Sequence, residues 1–367
     1  MTNNVSRRSF FKMTGATAAV GAVAAVAPVA VAQAVTPTLR DKNGVGVYNE
    51  WDQMESVLVG HPDRFLMPEV DWPLENYQGL DEEIKVEMRE RAGNYLEDLQ
   101  PETHKQTQKE MNALAELFEK HGVEVIRPEQ PSDELCRGER MGQCAMYERD
   151  NTLVIEDEII DTYCRIQCRR KSHELMYRDI TKHAEENGQY HLAMPRPSIH
   201  VDQSDETIPY LEGGDVFILD KDILVGHAGI GSSYAGIEWL RNRLEPKGYR
   251  VHTIELSRKF IHLDCVFMTP RPGLAACNLD GVKGGKAAFP AFMQDWTWID
   301  VTEKECKAMG ANSVNLAPNK PIIGAEHTRL IAELEKHGVE CITLPYATTS
   351  MFGGGPRCST HPLKRKA

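Results

Sequence analysis

Cys358 sits in the stretch FGGGPRCSTHPLKR, Phe352 to Arg365, behind three glycines and a proline. A cysteine kept for packing more often lies inside an apolar strand or helix. Here Gly353, Gly354 and Gly355 leave room for close backbone approach, and Arg357 brings positive charge beside the sulfur, which favours thiolate. These features suit a nucleophile; a surface loop with a stray thiol is the competing reading. A thiolate that attacks carbon needs an acid/base neighbour, and a histidine in that role needs a carboxylate to orient it. Three clusters supply such residues: Tyr147-Glu148-Arg149-Asp150-Asn151, Leu211-Glu212-Gly213-Gly214-Asp215 and Ile261-His262-Leu263-Asp264. Taken singly, Asp264 reads more readily as a turn residue, His262 as a satisfied core histidine and Glu212 as a cap. Taken together they have a chemical logic. The acids remaining after a histidine is oriented suit a planar cation, and guanidinium is the natural one because its N–H fork can match two carboxylates at once.

Residues so far apart in sequence need a fold that brings them to one place, and internal similarity provides it. Gln108 to Pro128, Gly236 to Leu256 and Glu326 to Pro345 each read as an amphipathic helix closed by a glycine (Gly122, Gly248, Gly338) and followed by a short β-branched strand. Tyr177 to Met194 reads as a degenerate further copy. Hairpin-like stretches beginning at Asn151, Gly214, Cys265 and Asn312 pair two apolar runs across an acidic, Pro or Gly/Asn turn. Each polar cluster lies just before a hairpin, and Cys358 follows the last repeat in the corresponding way. Pseudosymmetric packing of such ββαβ units predicts that the clusters converge on one pocket, with helices outside. Asp71 to Gln106 is acidic and helix-forming without a clear repeat, as an insertion would be. No linker rich in Gly, Ser or Pro divides the chain, which predicts one α/β domain.

The chain of 367 residues carries a formal net charge of −12. Ser6-Arg7-Arg8-Ser9-Phe10-Phe11-Lys12 precedes an uncharged run rich in Ala, Val and Gly, Met13 to Ala34, which resembles a twin-arginine export signal. A membrane anchor is the alternative, but Ala and Gly are weakly hydrophobic and Pro28 interrupts the run. The expectation is a cleaved signal over residues 1–34 and a mature domain over 35–367, exported by the twin-arginine machinery to the periplasm or beyond. Removing Arg7, Arg8 and Lys12 leaves 39 basic against 54 acidic residues, a net −15. That balance argues against nucleic acid or an anionic membrane surface as a partner and permits a small cationic substrate. A homodimer stays open. Nine cysteines is an odd number, so at least one thiol stays unpaired within the chain; a Cys164–Cys168 bridge stays open, and the cysteine spacing does not suit a zinc site.

Tyr48-Asn49-Glu50-Trp51-Asp52 through Val57-Leu58-Val59-Gly60, Arg149-Asp150, Glu212 to Asp215, GIEWLRNRL with YRVH, His262-Leu263-Asp264 and GGGPRC with Thr360 together resemble the guanidino-modifying (pentein) superfamily. The resemblance runs in order over nearly all of the mature chain. The opening and the GIEWLRNRL stretch are similar to glycine amidinotransferase and its relatives, while the EGGD motif and RCSTHPLKR ending are similar to arginine deiminase. It implies an α/β propeller of about five pseudosymmetric ββαβ repeats, chemistry without cofactor or metal, and a covalent amidino-cysteine. Carried over by residue, Cys358 matches the nucleophile, His262 the general acid/base and Glu212 its orienting carboxylate. Asp150 and Asp264 match the guanidinium clamp, and Asp215 the last residue of the acidic motif; Arg357, beside the nucleophile, joins them as a substrate-side candidate. The implied activity is amidino transfer from arginine or a related donor to an amine. Hydrolysis by the same residues, of the deiminase or dihydrolase kind, and a guanidine-binding protein without catalysis are the alternatives.

Overall fold

A computed structural model describes residues 45–132, 136, 140–197 and 202–366; the expected export signal lies outside the described residues. Short apolar strands alternate with helices from the first described segments. β1 (Met54–Val59) pairs in parallel with β2 (Glu124–Ile126), with Ser56 opposite Glu124. β3 (Thr152–Ile155) and β4 (Glu158–Asp161) form an antiparallel hairpin, and β5 (Tyr190–Ala193) joins β4 in parallel. The same pattern recurs with β6 (Val216–Leu219), β7 (Asp222–His227) and β8 (Arg250–Glu255). It recurs again with β9 (Phe267–Arg271), β10 (Leu274–Cys277) and β11 (Thr297–Asp300), and with β12 (Val314–Ala317), β13 (Lys320–Gly324) and β14 (Ile342–Leu344). β15 (Thr360–Arg365) returns to pair antiparallel with β1, Thr360 opposite Val59. The described residues thus hold five separate three-stranded sheets, one of them assembled from both ends of the chain.

Long-range parallel pairing needs a crossover, and the amphipathic segments provide it. The helix Tyr234–Leu244 buries Ile237, Leu240 and Leu244 in one apolar cluster with Ile223, Val225 and Val251 of the sheet it connects. Each such fully buried side chain contributes about 1.5–3 kcal/mol relative to exposure. The helix Ser172–Asn187, the degenerate copy, ends at Gly188 in the left-handed region (φ 68°), a conformation that costs glycine little. One unit departs from the repeat. β10 and β11 are connected by three 3₁₀ turns, Leu279–Gly281, Gly285–Ala288 and Ala291–Met293, where the other units use an α-helix. The acidic segment Asp71 to Gln106 forms the short helices Trp72–Asn76, Glu82–Arg91 and Leu96–Leu99 and leads into the helix Pro101–Lys120, as an inserted cover would.

Cys164 and Cys168 are both free thiols and are not bridged to each other. The Cys164 thiol instead donates to the backbone oxygen of Asp150 and to Asn151 Oδ1.

Between the sheets lies a buried charge network. Glu50 Oε1 is 3.2 Å from Arg357 Nη2 and accepts from the Ile218 N–H at 3.3 Å. Burial opposes its ionisation, but Arg357, Arg149 and Arg365 hold its pKa below the usual carboxylate value. Removing one partner of a buried ion pair strands the other charge. Glu50→Gln keeps the shape and deletes the charge, so it is expected to lower unfolding stability by about 3–5 kcal/mol. Denaturant titration of both proteins checks this, and a loss below about 1 kcal/mol, the scale of an exposed pair, refutes the network's stabilising role.

Candidate active site

The five segments that lead into the first strands of the sheets carry the polar residues. Asp150 precedes β3, Glu212 and the 3₁₀ turn Gly213–Asp215 precede β6, and His262 and the turn Leu263–Cys265 precede β9. Asn312 precedes β12, and Cys358 precedes β15. Because hairpins of similar build start from each segment, their side chains meet.

His262 and Glu212 form the centre of the site. His262 Nε2 lies 2.5 Å from Glu212 Oε2, and its Nδ1 lies 3.7 Å from Asp150 Oδ1. The other oxygen of Glu212 accepts from the N–H groups of Arg165 and Ile166 at 2.7 and 3.0 Å, which fixes the carboxylate. Gly214 and Gly231 leave space for the ring: a Cβ on Gly214 would fall 2.5 Å from His262 Nδ1, and one on Gly231 would fall 2.9 Å from its Cδ2. Burial works against a charged imidazole, yet Asp150, Asp215 and Glu212 together raise its pKa to about 10. Burial likewise opposes ionisation of Glu212, but the bond to His262 and the charge of Arg169 lower its pKa to about 2. At neutral pH this pair is an imidazolium on a carboxylate.

Asp215 stands behind it. Its oxygens accept from the N–H groups of Ser232 and Leu263, both at 3.1 Å, so it holds two backbone segments around the histidine. Burial raises its carboxyl to about 6.

Cys358 occupies the adjoining wall. Its Sγ is 3.4 Å from Asp264 Oδ2 and accepts from Asn312 Nδ2 at 3.1 Å, while the Asn312 carbonyl receives the N–H groups of Gly355 and Cys358. A Cβ on Gly355 would fall 2.8 Å from the Asn312 backbone oxygen, and Gly354 is the tighter case: a Cβ there would fall 2.4 Å from the Tyr147 ring and 2.8 Å from Cys358 Cβ. The thiol is not activated as its neighbours in sequence suggest. Arg357 directs its guanidinium to Asp264 Oδ2 (3.1 Å), Glu50, Val216 O (2.7 Å) and Gly213 O (3.5 Å), with its carbon 3.9 Å from the centre of the Phe217 ring. Burial pushes the Cys358 pKa well up, Asp264 and Asp150 add to this, and Arg169 pulls the other way. These surroundings disfavour the thiolate in the free protein.

Arg169 is the residue that sequence reading missed. It comes from the short helix Gln167–Arg170 and places Nη1 2.5 Å from Asp150 Oδ2 and 3.6 Å from Glu212 Oε2. A guanidinium thus already rests on one of the acids assigned to bind guanidinium. The same cation neutralises the Asp150–Glu212–His262 group, whose spacing could otherwise hold a metal ion. Asn312 was also missed, although the hairpin that follows it marked the position. Asp150, Glu212, Asp215 and His262 are brought into one cluster, and Asp264, Arg357 and Cys358 into its neighbour, joined where Arg357 reaches Gly213 O.

The family described as N,N dimethylarginine dimethylhydrolase, eukaryotic, matches residues 87–365. Inosamine-phosphate amidinotransferase 1 of Streptomyces glaucescens is 25% identical over 346 residues, covering 88% of this chain and 97% of that protein. Mitochondrial glycine amidinotransferase of Gallus gallus is 24% identical, with 87% and 82% covered. The solved structure of SxtG, an amidinotransferase from Microseira wollei in the saxitoxin biosynthetic pathway, superposes with a TM-score of 0.75 at 24% identity, covering 88% of this chain and 98% of that one. That structure shares the α/β fold.

The pair Glu212–His262 makes a pH prediction. With Glu212 lowered from 4.5 to about 2, its stabilising contribution is present above about pH 4.5 and is lost as pH falls toward 2. With His262 raised from 6.5 to about 10, its contribution is complete below about pH 6.5 and is lost as pH rises toward 10. The Tm difference between the native protein and Glu212→Gln should peak between those limits and shrink on both sides. A difference that is constant from pH 3 to 10 contradicts the ion pair.

Proposed function

The chain belongs to the family described as N,N dimethylarginine dimethylhydrolase, eukaryotic, within the guanidino-modifying superfamily, and on that premise we propose that it is an amidinotransferase acting on arginine or a related guanidino donor. The observation that carries the reading is the meeting of a buried thiol, an imidazolium–carboxylate pair and two further aspartates in one site. Whole-length similarity to amidinotransferases supports transfer as the outcome.

In the proposed reaction the donor's guanidinium lies between Asp150 and Asp264, and Arg169 gives up part of Asp150 to it. The arriving positive charge lowers the thiol's pKa, and the Cys358 proton leaves to solvent. The thiolate forms a C–S bond to the guanidinium carbon, the C–N bond to the departing amine breaks, and His262 gives that nitrogen its proton. An acceptor amine then attacks the amidino-thioether; His262, now neutral, takes a proton from it, and the C–S bond breaks to return the thiolate. Glu212 keeps the imidazole oriented in both halves, and Asp215 is a positioning residue. Arg357 acts through Asp264, whose carboxylate it holds, and its four internal acceptors support that assignment over direct substrate contact.

The arrangement that this reading implies is five pseudosymmetric units around the site; five sheets of similar build and the shared position of the polar segments support it. For a single domain over 35–367, the support is that the described residues group into one compact unit. Export by the twin-arginine route and a periplasmic or secreted site of action rest on the Ser6 to Ala34 segment alone. The matching hydrolase family favours a second outcome, in which the terminal nitrogen departs as ammonia, the substrate chain stays on the thioether, and water attacks in place of the acceptor amine to leave a ureido compound.

Incubation with arginine, with and without glycine or another primary amine, separates these outcomes by mass spectrometry. Transfer yields ornithine and an amidinated acceptor only when the amine is present; citrulline formed in either case establishes hydrolysis. Cys358→Ala should abolish turnover while the fold persists, and full activity in that variant would end the covalent mechanism. Asp150→Asn and Asp264→Asn each remove a charge-assisted bond worth about 1.5–3 kcal/mol, so each should weaken a guanidino ligand about ten- to a hundredfold and a neutral ureido analogue far less. Equal weakening of both ligands, with a lowered Tm, would identify the two aspartates as turn residues instead.

A further inference from the structure

A second group of metal-competent side chains lies outside the site just described. Asp161 ends β4, His191 is the second residue of β5, and His173 is the second residue of the helix Ser172–Asn187. The parallel register sets His191 opposite Ile159, two residues before Asp161, so Asp161 and His191 leave the same face of the sheet. His173 comes down on them from the crossover helix. Asp161 Oδ2 is 2.8 Å from His173 Nε2 and Oδ1 is 2.7 Å from His191 Nε2, and one ligand atom from each residue lies within 4.8 Å of the others.

Three further features distinguish this group from a plain ion-pair cluster. His173 is only 9% exposed, and its Nε2, though close to the carboxylate, makes no well-formed hydrogen bond. The far nitrogen of His191, Nδ1, is 3.0 Å from Thr181 Oγ1, two helical turns beyond His173, which anchors the ring from behind as outer partners of metal-bound histidines do. The group also faces a pocket of about 470 Å³ that Glu174, Tyr177 and Arg196 line with it, and the Tyr177 ring lies 5.7 and 5.2 Å from the two imidazoles. Room therefore exists for a further ligand beside three converging donors.

We propose that Asp161, His173 and His191 bind a divalent transition-metal ion of the zinc class, with the remaining coordination position open to the pocket. Two imidazole nitrogens and one carboxylate are the donor set such ions accept, whereas calcium and magnesium favour oxygen throughout. The ion joins the ends of two strands to the helix that connects them. It takes no part in the amidino chemistry, which the resemblance assigns to protein groups alone.

The test uses the full chain carrying Cys358→Ala, so that the proposed nucleophile cannot supply a ligand. Equilibrium dialysis against Zn²⁺ with elemental analysis should find one ion per chain, and Co²⁺ in its place should give the spectrum of nitrogen and oxygen ligation without a thiolate charge-transfer band. His173→Gln with His191→Gln should weaken binding by at least a hundredfold. Thr181→Ala, which removes only the outer partner, should weaken it about ten- to a hundredfold. Circular dichroism monitors folding, and if the double variant unfolds, His191→Gln alone must lower affinity at least tenfold. No bound ion, an affinity unchanged by these substitutions, or a cobalt spectrum dominated by thiolate overturns the proposal.

Discussion

The guanidinium of Arg357 is the contact on which the arrangement of the site depends. It comes from the residue immediately before Cys358 and reaches Glu50 ahead of β1, the Gly213 and Val216 carbonyls at the start of β6, and Asp264 ahead of β9. A planar group with five donors can satisfy acceptors from several directions while stacking on an aromatic face, as Arg357 does on Phe217; a lysine could not. The burial of this charge is offset only because two carboxylates and two carbonyls meet it. The geometry of those acceptors then sets where the next residue, the thiol, must point. The positive charge beside the cysteine is also the tie between sheets.

A consequence follows for the electrostatics of the neighbouring cluster. Asp150, Glu212, Asp215 and Asp264 are all fully buried, and so many carboxylates cannot stay ionised without cations among them. His262 and Arg169 serve the first group and Arg357 serves Asp264. Asp215 has backbone donors but no such close cation, and burial raises its pKa to about 6. The thiol beside them stays neutral because one more negative charge is unfavourable there. In the proposed mechanism the substrate supplies the missing positive charge, so the nucleophile forms only when a cation is present to be attacked.

The sequence was legible wherever a signal was local. The four hairpins from Asn151, Gly214, Cys265 and Asn312 are present, as are the crossover helices, because apolar runs flanking a turn and glycine-ended amphipathic runs act over a few residues. The shared position of the polar clusters ahead of hairpins brought Asp150, Glu212 and His262 together correctly. What could not be read was direction. Arg357 is next to Cys358 in the chain, but its side chain leaves toward Glu50 and Asp264, and only the packed neighbours decide that. Arg169 gave no pattern of its own; the need for a cation among buried acids was the available clue. The unit from β9 to β11 replaced its helix by 3₁₀ turns, since the stretch from Asn278 to Trp296 has glycines and a proline where a helical stripe would be needed.

Transfer and hydrolysis share the attack of the thiolate on the guanidinium carbon, but differ in which C–N bond breaks and in what then reaches the covalent intermediate. Glu212 does not decide between them, because its task of orienting His262 is the same in both. Enclosure does. Cys358 is 3% exposed, and Asp150, Glu212 and Asp264 have no exposed surface, so a thioether formed there would be surrounded by fixed protein groups with little access for bulk water. Exclusion of water from such a site lengthens the life of a reactive intermediate. An amine that enters the space vacated by the first product arrives beside a neutral imidazole ready to take its proton, whereas water must first be admitted. The burial that suppresses the thiolate in the free protein is thus the same property that favours an amine over water once the thiolate has reacted.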